Sequence, residues 1–104
     1  MNTKSNLFEG KDWAVVGFDH DTAKKIFDSI ESSCGKMIVR KTDSKYELVT
    51  FFEDGVRLRH IRNSEDCRGY RFGKLWCNKN MDMNAFYSAI LPAYTGDPND
   101  IAWL

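Results

Sequence analysis

The sequence predicts an α+β protein: a single antiparallel sheet of four to five strands with two helices, in the order β-α-β-β-β-β-α. Three observations predict it. First, Asp54-Gly55 sits between two alternating apolar runs, YELVTFF and VRLRHIR, and Asp-Gly in that setting signals a β-hairpin, because a type I′ turn needs φ > 0 at both central positions. Second, Ala23, Ile26, Phe27, Ile30 and Cys34 recur at helical spacing, with Lys24, Asp28 and Glu31 on other faces. Third, the remaining strand-forming runs follow one another with short turns, the pattern of a meander.

Residues 1–11 are polar and read as a loose N-terminal arm, docked by Leu7 and Phe8. Trp13 to Phe18, WAVVGF, is almost continuously apolar, as in a central strand covered on both faces. Gly17 inside it hints at a bulge or a close backbone approach. Asp21 is placed to cap a helix starting at Thr22, and Gly35 to end it. Residues 36–41 are a short strand and 42–44 a turn.

The central hairpin follows. A two-residue loop sets Phe52 opposite Arg57, Phe51 opposite Leu58 and Thr50 opposite Arg59. Side chains alternate, so Glu47, Val49, Phe51, Val56, Leu58, His60 and Arg62 share one face. Tyr46, Leu48, Thr50, Phe52, Arg57, Arg59 and Ile61 share the other. A one-residue slip would exchange these groupings. Residues 63–69 form a polar loop and 70–77 a further strand, with Tyr70, Phe72, Lys74 and Trp76 on one side. Asp82 caps a second helix whose stripe is Met83, Phe86, Tyr87 and Ile90, and Pro92 ends or kinks it. Residues 93–104 are a C-terminal tail; its Ile101, Trp103 and Leu104 pack back or meet a partner. Both helices are expected on one face of the sheet, which leaves the other face as the working surface.

The chain of 104 residues reads as a single domain, 1–104, large enough to bury one core without metals or disulfides. With 42% apolar and 29% charged residues it is globular in composition. Fifteen basic and fifteen acidic residues cancel, which argues against a dedicated duplex-DNA binder. Locally the charge is uneven. Arg57, Arg59, Arg62, Arg68, Arg71 and Lys74 stand against Glu65 and Asp66 in one stretch, while residues 81–104 carry only acids. Such a dipolar molecule suits steering toward a charged partner. Three irregularly spaced cysteines, no apolar leader and no membrane-length run suggest a reducing, cytoplasmic setting with no membrane partner.

No metal or cofactor is expected. The sequence has neither a C-x-x-C pair nor an H-x-x-x-H. Gly69 and Gly73 stand too far from a helix start to cradle phosphate. Cys67 with His60 would be a nucleophile and base, but no third group orients them, so no catalytic residue is assigned.

The best local lead is Arg68-Gly69-Tyr70-Arg71-Phe72-Gly73-Lys74-Leu75. It agrees with the RNP1 signature of RNA-recognition motifs at Arg68, Gly69, Tyr70 and Phe72, and departs from it at Arg71, Gly73 and Leu75. The order of elements departs too, so the partial match assigns no family. Its physics stands alone: arginines and aromatics on an open sheet can stack single-stranded bases and contact phosphates. The competing reading is that these aromatics are simply core.

Arginine and tyrosine are also the residues enriched at protein-interface hot spots. The expected function is therefore non-enzymatic binding, and inhibition or modulation, of a protein partner. Arg57, Arg59, Arg62, Arg68, Tyr70 and Arg71 would make the contacts. By association of class alone, this includes immunity-type proteins and anti-defence proteins of phages or mobile elements. The alternative is a single-stranded nucleic-acid-binding module using the same surface.

Overall fold

Ala14 and Val15 are completely buried, and the rest of the molecule is arranged about their strand. The structure is a computed structural model and describes residues 11–45, 47–62, 67 and 69–104. The strands are β1 (Asp12–Val16), β2 (Ile38–Asp43), β3 (Leu48–Phe52), β4 (Arg57–Ile61), β5 (Phe72–Cys77) and β6 (Ala102–Trp103). Helix α1 spans His20–Ser33. A second helical segment starts as α2 (Met83–Ala85), widens to a π turn at Phe86–Ile90 and tightens to a 3-10 turn at Leu91–Ala93. Proline at 92 has no N–H with which to continue the regular ladder.

The class is α+β with two helices, but the sheet is six-stranded and mixed, in the order β2-β3-β4-β1-β5-β6. The expectation of four to five antiparallel strands is thus corrected. β1 runs parallel to both β4 and β5, and β5 parallel to β6; the antiparallel ladders are β2–β3 and β3–β4. The reason is the crossover. α1 carries the chain from β1 to the far edge, and the meander β2-β3-β4 returns to lie beside β1 in the same direction. β6 comes from the stretch expected to be tail.

The two helices lie on opposite faces, not on one. Trp13 and Val15 pack with Ala23, Phe27 and Ile30 of α1 and with Leu48, Phe52 and Leu58. Ala14 and Val16 pack with Phe86, Ile90 and Ala93 of the second segment and with Phe72, Leu75 and Cys77. A strand apolar at successive positions needs a layer on each side.

The hairpin loop has three residues, not two. Phe52 N–H donates to Val56 O at 2.9 Å and Gly55 N–H to Phe52 O at 3.1 Å. Gly55, at φ 92°, takes the left-handed position of a three-residue loop. Phe51 therefore lies opposite Arg57, Thr50 opposite Leu58 and Val49 opposite Arg59, one residue out of the expected register. Arg57 and Arg59 consequently share a face with Val49 and Phe51 rather than with Leu48 and Phe52.

A register shift in the β1–β5 ladder pairs Asp12 with Phe72 but Trp13 with Lys74. This bulge turns Phe72 to the side of Leu75 and Cys77, away from Lys74 and Trp76. The cap of α1 is Asp19 rather than Asp21: its carboxylate accepts from Thr22 N–H at 3.3 Å, a bond that lowers its pKa.

Candidate functional site

Asp12, Arg57, Phe51 and Arg40 lie in one row across the sheet. Arg40 pairs with Phe51, Phe51 with Arg57, and Arg57 with Asp12, which in turn pairs with Phe72. Directly paired strand residues point to the same face. The row therefore runs from the β2 edge to the centre of the sheet, on the face away from α1.

Its centre is a carboxylate between two arginines. Asp12 has a side chain only 8% exposed. Arg57 approaches it side-on, with Nη2 donating to Oδ2 at 3.2 Å and Nε 3.0 Å from Oδ1. Arg59, from the next position on that face, reaches back to donate from Nε to Oδ1 at 3.0 Å. The Arg59 guanidinium also lies 4.8 Å from the centre of the Tyr70 ring, and Tyr70 stacks on Phe72 at 5.5 Å. Toward the edge, the Arg40 guanidinium sits 4.2 Å from the centre of the Phe51 ring. The result is a row of planar cations and aromatic rings, held in place by ion pairing and stacking. Its most accessible members are Arg40, which is exposed, and Phe51 and Arg57, which are half-buried; they can meet carboxylate or aromatic groups.

The fold brings together three of the expected contact residues: Arg57, Arg59 and Tyr70. Arg62 is elsewhere. Its Nη2 donates to His20 Nδ1 at 3.2 Å, at the start of α1 and so on the other side of the sheet. Arg71 is exposed and donates to the Pro92 carbonyl at 3.3 Å, beside the second helical segment. Arg68 lies outside the described residues. Asp12, Phe51 and Arg40 belong to the site and were not expected there.

Arg62 instead joins a histidine cluster. Because Arg62 donates to His20 Nδ1, the His20 proton sits on Nε2, which faces Asp43 Oδ1 at 3.1 Å. Lys24 pairs with the other Asp43 oxygen at 2.8 Å. His60 lies 6.3 Å from His20, ring to ring, and its Nε2 is 2.8 Å from the Phe18 carbonyl. Burial lowers the His60 pKa, with Arg62 and His20 adding to the effect and the Phe18 bond opposing it.

Cys67 is buried in the cluster under the second helical segment, whereas His60 lies on the α1 side. The sheet therefore separates the nucleophile and base considered from sequence. Cys77, in the same cluster, has its thiol pushed up to about 12 by burial. Among the described residues no group of three or more His, Cys, Asp or Glu side chains is placed to hold a metal ion, and no helix is long and apolar enough to cross a membrane. Compared with known proteins, the chain matches no family model, no curated protein and no solved structure.

Proposed function

We propose that this protein binds another macromolecule, a protein rather than a nucleic acid, through the row Arg40–Phe51–Arg57–Asp12 and the adjoining Arg59 and Tyr70. Inhibition or modulation of that partner, in a cytoplasmic setting, is the role we assign to it. The observation that carries the proposal is the registered row itself. Arginines preorganised by stacking and by Asp12 lose little side-chain entropy on binding, which is how interface hot spots gain affinity.

Charge favours a protein partner. Arg57 and Arg59 are engaged by one carboxylate, and the formal net charge is zero. A single-strand binder relies on cations available to phosphate and on open aromatic faces. Here Tyr70 is taken up by Arg59 and Phe72, and Phe72 is completely buried.

Capture with tagged protein tests the proposal. A stoichiometric protein should be retained, and lost on Arg59→Glu or Arg40→Glu while the Arg40 variant still melts cooperatively, shifted only by the loss of its stacking on Phe51. If instead oligonucleotides bind, with affinity falling steeply as salt rises, the nucleic-acid alternative replaces it.

A further inference from the structure

We infer that β2 pairs with β2 of a second copy of this chain, antiparallel, about a twofold axis at Thr42. The inference is independent of the partner proposed above.

β2 is an edge strand with no neighbour beyond it among the described residues. All of its residues except Thr42 are exposed. Met37, just before the strand, and Ile38 and Val39 at its start are 66%, 38% and 60% exposed, an apolar stretch at the sheet edge. The register irregularity between Ile38 and Arg40 leaves Arg40 to Asp43 evenly paired with β3. Ser44 N–H donates to Glu47 O at 2.8 Å, which makes Ser44 and Glu47 a hydrogen-bonded pair. Alternation along an antiparallel ladder then directs the backbone groups of Thr42 and Arg40 toward β3. Those of Lys41 and Asp43 point outward, where a further strand would meet them.

Among axes at the evenly paired residues Arg40 to Asp43, charge complementarity between two copies selects the register. With Arg40 on the axis, two arginines oppose each other; with Lys41, two lysines; with Asp43, two aspartates. Like charges directly opposite are destabilising. With Thr42 on the axis, Lys41 lies opposite Asp43 of the second copy, twice over, and the two threonines meet. Lys41 already pairs with Glu31 at 3.0 Å, and Asp43 with Lys24 at 2.8 Å. The contact therefore extends each pair into a chain of alternating sign: Glu31, Lys41, then Asp43 and Lys24 of the second copy. A formal net charge of zero adds no long-range repulsion between copies. Opposed residues share a face, so both α1 helices fall on one side and both arginine rows on the other, across one continuous sheet.

Sedimentation equilibrium from micromolar to hundreds of micromolar protein tests this. The wild type should dimerise. Lys41→Asp and Asp43→Lys should each raise the dimer dissociation constant about tenfold or more, and the double exchange K41D/D43K should recover part of the loss, since the cross-copy pairs re-form while Glu31 and Lys24 lose their partners. Lys41→Pro removes an outward N–H that the monomer does not use, so it should keep a cooperative melt yet remain monomeric. Thermal melts of the dilute single variants separate lost folding from lost pairing. A monomeric wild type overturns the inference, as does a K41P protein that dimerises like the wild type. A double exchange as weak as the single ones, with melts intact, overturns the register.

Discussion

Arg57 lies directly opposite Asp12 in the parallel β1–β4 ladder, and its guanidinium meets both carboxylate oxygens, at 3.0 and 3.2 Å. Asp12 is thus the group that allows two arginines to stand two residues apart on one strand face. Asp12→Asn should destabilise the protein by about 3 kcal/mol, the low end for breaking a buried pair, because Arg57 keeps part of its contact with water. Urea unfolding measures this. An Arg57→Met change made on top of it should recover part of the loss, since one stranded charge is removed.

The hairpin tip is a second test. Gly55 sits at φ 92°, and a methyl group there would meet nothing within 4 Å, so space is not the limit. Gly55→Ala should cost about 1–2 kcal/mol through left-handed backbone strain alone. Gly55→Asn should cost less, because Asn tolerates that region. Midpoints of denaturant unfolding compare the two.

Phe27 is 1% exposed and packs α1 onto the sheet. Phe27→Ala should cost about 3–5 kcal/mol and shift the melting transition without altering its cooperativity.

The histidine cluster gives a pH dependence with a defined sign. The folded-state pKa of His60 is lowered from 6.5 by burial. Between the two values the unfolded chain holds more protons than the folded one, so stability rises with pH. The His60 contribution is fully present above 6.5 and is lost as pH falls through the lowered folded value. Asp43 and Asp54, whose pKa values are lowered from 3.8 by Lys24 and Lys36, act in a separate, more acidic window. Unfolding free energy followed from pH 8 to pH 5 should fall, and His60→Gln should flatten that slope.

Cysteine labelling separates the two faces. Cys34 is partly exposed, while Cys67 and Cys77 are buried. At pH 8 one thiol should react with a disulfide reagent quickly, and two should wait for denaturant. Mass spectrometry of the labelled peptides identifies which.

Local signals in the chain carried the elements but not the neighbours. The α1 stripe and the strands on either side of Asp54-Gly55 are where periodicity puts them. The loop length is not legible there: a glycine at 55 serves a two-residue turn and a three-residue loop alike, and the choice moves every cross-strand pair. WAVVGF read as a strand covered on both sides, which in fact requires one helix per face. Arg57 and Arg59 stand out as alternate residues of one strand, and Arg62, of opposite parity, falls on the other side. Asp12 is 45 residues from Arg57, so no local spacing could reveal it. The bulge beside Gly73 likewise turned Phe72 into the core on the side opposite Lys74 and Trp76, with which simple alternation groups it.

Capture of a protein partner on the arginine face is the most direct measurement. Tagged wild type should retain a stoichiometric protein, Arg40→Glu should release it, and the unfolding free energies of the two should differ by no more than about 1 kcal/mol, the loss of the exposed Arg40–Phe51 stacking. Retention of the same partner by Arg40→Glu and Arg59→Glu alike, or no partner on the wild type, would contradict binding through this face.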